Sequence, residues 1–194
     1  MSGLVVGPDG LARCAWGVST PDYLEYHDEE WGRAVHGERG LFERFTLEAF
    51  QSGLSWLTIL RKREGFRAAF AAFDPEVVAR YGAKDRARLM ADANIVRNNA
   101  KVDAAIANAA AVLRMREAGG LDELVWSHAP TGRRRAPKGF GDIPAKTPES
   151  IALAKALKRN GFVFVGPTTA YATMQACGLV NDHLAGCHAR ASAG

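Results

Sequence analysis

The stretch that most constrains this chain is FTLEAFQSGLSWLTIL, residues 45 to 60, which is apolar almost throughout and carries one carboxylate, Glu48, in its middle. In a helical register Leu41, Phe45 and Ser52 share a face with Glu48. A carboxylate on an apolar stripe is costly to bury unless it has a partner or a task. Two readings follow from the stretch alone. Glu48 sits at the edge of the stripe, bonded to a backbone N–H or an arginine, or it is the polar centre of a site.

A chain of 194 residues makes one domain, or one domain with two lobes. With 47% hydrophobic residues it has enough apolar material for a real core, which excludes disorder for most of its length. No apolar run approaches the length of a membrane span. The start, MSGLVVGPDG, has no basic region and too short an apolar run for a signal peptide, and residues 1–12 are expected to form a loose leader. Three widely spaced cysteines do not make a disulfide framework; a cytoplasmic chain with reduced thiols free to bind metal fits them better. A net charge of +4 and an isoelectric point near 9.1 weakly favour a polyanionic partner.

Helical signals recur and strand signals are scarce. Thr20-Pro21-Asp22 opens a helix expected to run to Gly32. On it Tyr23, Tyr26, His27, Glu30 and Trp31 share one face, and a stripe of that kind is ordinarily core. Further helices are expected from Glu38 to Ser52, from Trp56 to Phe70, from Asp74-Pro75 to Arg80 and from Lys84 to Ala93. Asn94 to Asn99 reads as a tight turn, followed by an Ala-rich helix from Lys101 to Ala118 and a short one from Leu121 to Ser127. Residues 128–147, containing GRRRAPKGFGDIPAKTP, read as an exposed basic loop. Thr147-Pro148 opens another helix, Phe162 to Val165 is a brief extended stretch, and Pro167 starts a helix closed by Gly178. One more helical turn is expected in the tail LVNDHLAGCH.

Three constellations can carry chemistry. Cys14 and His27 near one end, with His183 and Cys187 at i and i+4 near the other, have the character of a tetrahedral Zn²⁺ site. Buried cysteines and core histidines are the plain alternative, and His188 or Cys177 could replace a ligand. Four protein ligands leave no open position, so such a metal is structural. The turn from Asn94 to Lys101, between two helices, can aim backbone N–H groups at a phosphate with Arg97 and Lys101 nearby, or simply connect its helices. Finally, Trp16, Tyr23, Tyr26, Trp31 and Trp56 supply flat electron-rich rings around Glu48, suited to a flat cationic ligand such as a nucleobase, and suited equally to a core.

The segments RCAW, YHDEEWG, FQSGLSWLTIL, FDP, ALKRNGFVFVGPTTAY and MQACGLVNDHLAGC, spread across residues 13–187, closely resemble the bacterial 3-methyladenine DNA glycosylase I family. The resemblance implies an all-α fold of the helix-hairpin-helix glycosylase type, one domain with two helical lobes and its termini tied by zinc. It places Cys14, His27, His183 and Cys187 on the family's zinc positions and Glu48, Tyr26 and Trp56 on its base pocket, with Trp16, Tyr23 and Trp31 close by. The hairpin is Asn94 to Lys101, with Asn94, Arg97, Asn98, Asn99 and Lys101 as its DNA-facing residues; Asn94 stands where the superfamily has a glycine. The implied activity is flipping and hydrolytic excision of 3-methyladenine from double-stranded DNA by a monomer, without lyase chemistry. The competing readings are a zinc-stabilised DNA-binding module without catalysis and a zinc hydrolase, the second of which needs an open coordination position.

Overall fold

The computed structural model describes residues 3–132 and 134–193; Met1, Ser2, Arg133 and Gly194, parts of the expected leader, basic loop and tail, lie outside the described residues. Ten α-helices make up half of what is described: α1 Pro21–Glu29, α2 Glu38–Gln51, α3 Trp56–Arg61, α4 Arg63–Ala69, α5 Pro75–Val78, α6 Ala83–Ala91, α7 Asn99–Met115, α8 Gly120–Trp126, α9 Pro148–Arg159 and α10 Pro167–Ala176. No helix among the described residues is long and apolar enough to cross a membrane.

The helix starts lie where side chains satisfy the orphan N–H groups of the first turn. Thr20 accepts from the Tyr23 amide, Ser55 from Thr58, Asp74 from Glu76 and Val77, and Asn98 from Lys101. Thr147 and Ser150 cap each other reciprocally at α9. The expected helix from Trp56 to Phe70 is two helices, because Lys62 leaves helical geometry and its amide bonds the carbonyls of Ile59 and Leu60.

Helix α2 is central. It packs against α3, α7, α8 and α10, and Leu41, Phe42, Phe45, Thr46, Leu47, Glu48, Ala49 and Phe50 are all buried. A helix buried on nearly every side is what an apolar run of this length requires. Phe66, Phe70 and Phe73 stack in a row, Phe50 meets Phe66 edge-on at the end of α2, and Phe45 meets Phe162 edge-on. A second, smaller cluster of Cys14, Leu184, Cys187 and Ala189 joins the two ends of the chain.

Three expectations need correction. The leader is not loose: strand β1 (Leu4–Val6), an apolar run with two β-branched valines, pairs antiparallel with β2 (Ala12–Cys14) across a turn closed by Gly7 and left-handed Gly10. The stretch from Phe162 to Val165 forms no strand; Asn108 clamps Val163 through both its N–H and its carbonyl, and Phe164 takes a left-handed φ of 62°. The segment from His183 to Cys187 is a turn rather than a helix, with Gly186 left-handed and Cys187 N–H bonded to Leu184.

Candidate base pocket and metal centre

The largest sequence signal and the best-formed aromatic cavity coincide. A cavity of about 270 Å³ is lined by Trp16, Tyr23, Tyr26, Trp31, Glu48, Gln51, Trp56, Ala172 and Gln175. Its walls come from the 3-10 turn after β2, from α1 and the residues just beyond it, from α2, from the start of α3 and from α10. The rings brace one another edge-on: Trp16 lies 5.6 Å from Tyr23 and 5.1 Å from Trp31, while Tyr26 tilts against Trp56 at 5.4 Å. The Tyr23 hydroxyl accepts from the Leu57 amide, so one wall ring also caps α3. The predicted single face of α1 therefore divides. Tyr23 and Tyr26 turn to the cavity, His27 to the chain ends, and Glu30 pairs with Arg44 and Arg63.

Glu48 is 7% exposed and makes no hydrogen bond among the described residues. Burial pushes its carboxyl up to about 8 from an ordinary 4.5, an effect that the charge of Arg44, one turn earlier on α2, only partly offsets. It is thus the buried, unpartnered acid in a cavity, not an edge residue with an arginine clasp. Burial also pushes the Tyr26 hydroxyl well above the ordinary tyrosine range, so it remains protonated. Gln51, Ala172 and Gln175 were not singled out from the sequence. The available signal was Gln175 itself, the one amide side chain on α10.

At the chain ends Cys14, His27, His183 and Cys187 are all buried and bring their ligand atoms within 4.8 Å of one another. Cys187 Sγ lies 3.5 Å from His27 Nε2 and 3.6 Å from His183 Nδ1. A tetrahedral ion with bonds of about 2.0–2.3 Å sets its ligands roughly 3.3–3.8 Å apart, so these spacings suit one. The outward nitrogens are occupied as well. His27 Nδ1 is 2.7 Å from Asp28, and His183 Nε2 is 3.0 Å from the Trp31 carbonyl. That is the arrangement that fixes the tautomer of a metal-binding imidazole. Hydrogen bonds from Cys14, His183 and His27 hold the Cys187 thiol low, while the same contact with Cys187 and burial hold the Cys14 thiol high, so the two sulfurs share one proton. Of the alternatives, His188 bonds Asp28 and forms with it and His27 a second, overlapping group of ligand-type residues, while Cys177 lies in the main core. Gly17 allows this closeness, since a Cβ there would stand 2.6 Å from the His27 ring.

The hairpin follows the prediction only in part. Arg97, Asn98 and Asn99 are exposed at the start of α7. Lys101 is not: it is 7% exposed, and its Nζ donates to the carbonyls of Phe50 and Ser52 at 2.8 and 2.6 Å. Its charge is spent on the C-terminus of α2, where orphan carbonyls favour a cation. Asn94 is also not left-handed; its carbonyl packs against Gly65, where a Cβ would come within 2.5 Å.

A family model described as methyladenine glycosylase matches residues 16–191. The DNA-3-methyladenine glycosylase 1 of Escherichia coli is 46% identical over 181 residues, covering 91% of this chain and 96% of that protein. The DNA-3-methyladenine glycosylase of Haemophilus influenzae is 42% identical over 184 residues, covering 93% and 98%. A variant of 3-methyladenine DNA glycosylase I solved in complex with 3-methyladenine superposes with a TM-score of 0.87 at 35% identity, covering 94% of this chain and 99% of that one.

Proposed function

This chain belongs to the methyladenine glycosylase family, and from that premise we infer that it is a DNA repair enzyme, a DNA-3-methyladenine glycosylase that excises 3-methyladenine from alkylated DNA. The observation that carries the reading is the aromatic cavity with a single buried, unpartnered carboxylate. A base inside duplex DNA has to be turned out of the stack before its glycosidic bond is reachable. Adenine methylated at N3 is cationic, and electron-rich rings hold such a base by stacking and cation–π attraction worth about 0.5–2 kcal/mol per ring. In the free chain near neutral pH Glu48 keeps its proton. A cation beside it favours the carboxylate, which then accepts from the base's amino group and opposes its charge. The N9–C1′ bond breaks with its electron pair passing to the base, which leaves uncharged. Water supplies a hydroxyl to C1′ and its remaining proton goes to solvent. No general acid is needed, and the pocket's contribution is binding and electrostatics.

The same reading includes a helix-hairpin-helix contact to double-stranded DNA, with the exposed start of α7 (Arg97, Asn98, Asn99) against a phosphate. Leu54, 43% exposed on the turn that joins the cavity-lining Gln51 and Trp56, is an apolar side chain suited to fill the vacated stack. It also includes one structural Zn²⁺ held by Cys14, His27, His183 and Cys187, which would tie the two lobes' chain ends and leave no site for a substrate. A cytoplasmic monomer acting alone on the duplex completes it.

The test is base release from methylated DNA by the wild-type chain and by Trp56→Ala. Wild type is expected to release 3-methyladenine and Trp56→Ala to release it about tenfold more slowly through lost stacking. DNA binding without any release by wild type would favour the non-catalytic zinc module instead.

A further inference from the structure

Asp182 is 5% exposed and sits behind the cavity-lining Gln175. It is brought there by the end of α10. Gly178, left-handed at φ 76°, reverses the chain so tightly that a Cβ would meet the Gly32 and Arg33 backbone at 2.8 Å. Asp182 Oδ2 then accepts from Gln175 Nε2 at 2.9 Å and from the Tyr171 hydroxyl at 2.5 Å. Arg134 backs the group: its NH2 donates to the Tyr171 hydroxyl at 3.1 Å, and its NH1 stands 3.5 Å from Asp182 Oδ1.

A carboxylate can only accept, so it dictates which way round the Gln175 amide lies. The NH2 side faces Asp182, and Oε1, which has no hydrogen-bond partner among the described residues, is left as the acceptor of a cavity-lining side chain. We propose that Asp182 is a positioning residue that locks Gln175 as a hydrogen-bond acceptor, so that the cavity selects adenine over guanine at the 6-position. The proposal rests on the base-excision reading above. Adenine presents an amino donor there and guanine a carbonyl acceptor. Two acceptors, Glu48 and Gln175 Oε1, welcome the first and oppose the second. Turning the Gln175 amide to suit guanine would break its bond to Asp182 and leave a buried carboxylate short of a donor. The lock also gives the basic loop a role, since Arg134 belongs to it.

The experiment uses DNA treated with a methylating agent and measures release of 3-methyladenine and 3-methylguanine chromatographically, with melting temperature and metal content followed because Asp182 precedes His183. In Asp182→Asn the side-chain amide can donate to Gln175 Oε1 and reverse the lock. Its preference for 3-methyladenine over 3-methylguanine is expected to fall about tenfold, the value of one hydrogen bond gained by the wrong base and lost by the right one. Tyr171→Phe, which removes one donor and leaves the turn intact, is expected to narrow the preference in the same direction by a smaller factor. An unchanged ratio in whichever of the two variants keeps wild-type melting and metal content overturns the proposal. Failure of the wild-type chain to release either base would instead remove the base-excision reading itself.

Discussion

The burial of Glu48 is costly to the fold at neutral pH. Its carboxyl is pushed up to about 8 by burial, whereas an unfolded chain ionises it near 4.5. Below about pH 4.5 it is neutral in both states and its charge costs nothing. As pH rises from there to about 8 the unfolded chain gives up the proton first, so stability falls across that interval, by about 1.4 kcal/mol per pH unit at most. Glu48→Gln has no charge to bury. It is expected to melt with wild type near pH 4.5 and to be more stable by roughly 2–4 kcal/mol at pH 8, while releasing 3-methyladenine ten- to a hundredfold more slowly for want of a charged acceptor. Thermal melts of both proteins at the two pH values, beside the release assay, check this; parallel melting curves at every pH would mean that Glu48 is not desolvated.

The start of α7 illustrates an element whose residues divide between structure and surface. Lys101 bonds two carbonyls at the end of α2, whereas Arg97 is exposed and takes part in no ion pair among the described residues. Lys101→Ala is expected to cost about 2 kcal/mol, roughly 4–8 °C in melting temperature, and to leave the salt dependence of DNA binding unchanged. Arg97→Ala is expected to do the reverse, keeping the melting temperature and reducing the salt slope by about one phosphate contact. The comparison is a melting scan and a salt titration on undamaged duplex. A shallower slope for Lys101→Ala would put its ammonium on the DNA after all. The basic loop around residues 134–147 is similarly split, since Arg134 joins the Tyr171 hydroxyl and the Pro137 carbonyl accepts from Ala185.

At the scale of the molecule, the chain ends and the base cavity are one construction. Trp16 packs edge-on against His27 at 5.1 Å and Trp31 against His183 at 4.6 Å, so the two rings of one cavity wall rest on two members of the cysteine–histidine group. With the proposed zinc in that group, treatment with a strong chelator, or replacing Cys187 with alanine, is expected to lower the melting temperature by at least about 5 °C and to weaken 3-methyladenine affinity as well. Metal analysis, melting and free-base titration on the same samples test it. Lost stability with unaltered affinity would confine the metal to tying the termini.

What the sequence determined by itself is what depends on neighbours along the chain. Thr20-Pro21, Asp74-Pro75 and Thr147-Pro148 set helix starts because a capping side chain acts within three residues, and the apolar density around Glu48 announced a buried helix with one costly charge. The resemblance of its motifs to one family carried the functional reading further, and the family match bears that out. What only the tertiary structure decided depends on partners remote in sequence. Lys101 and Arg97 are equally basic as letters, and it is the end of α2 folding over one of them that makes it a cap. The ligand-type residues could be assembled in several ways until the turn at Gly186 and the close approach that Gly17 allows brought Cys14, His27, His183 and Cys187 together, with His188 set against Asp28. Gln175 gained its meaning only when the reversal at Gly178 set Asp182 behind it, because the direction of an amide is chosen by whatever charge it faces.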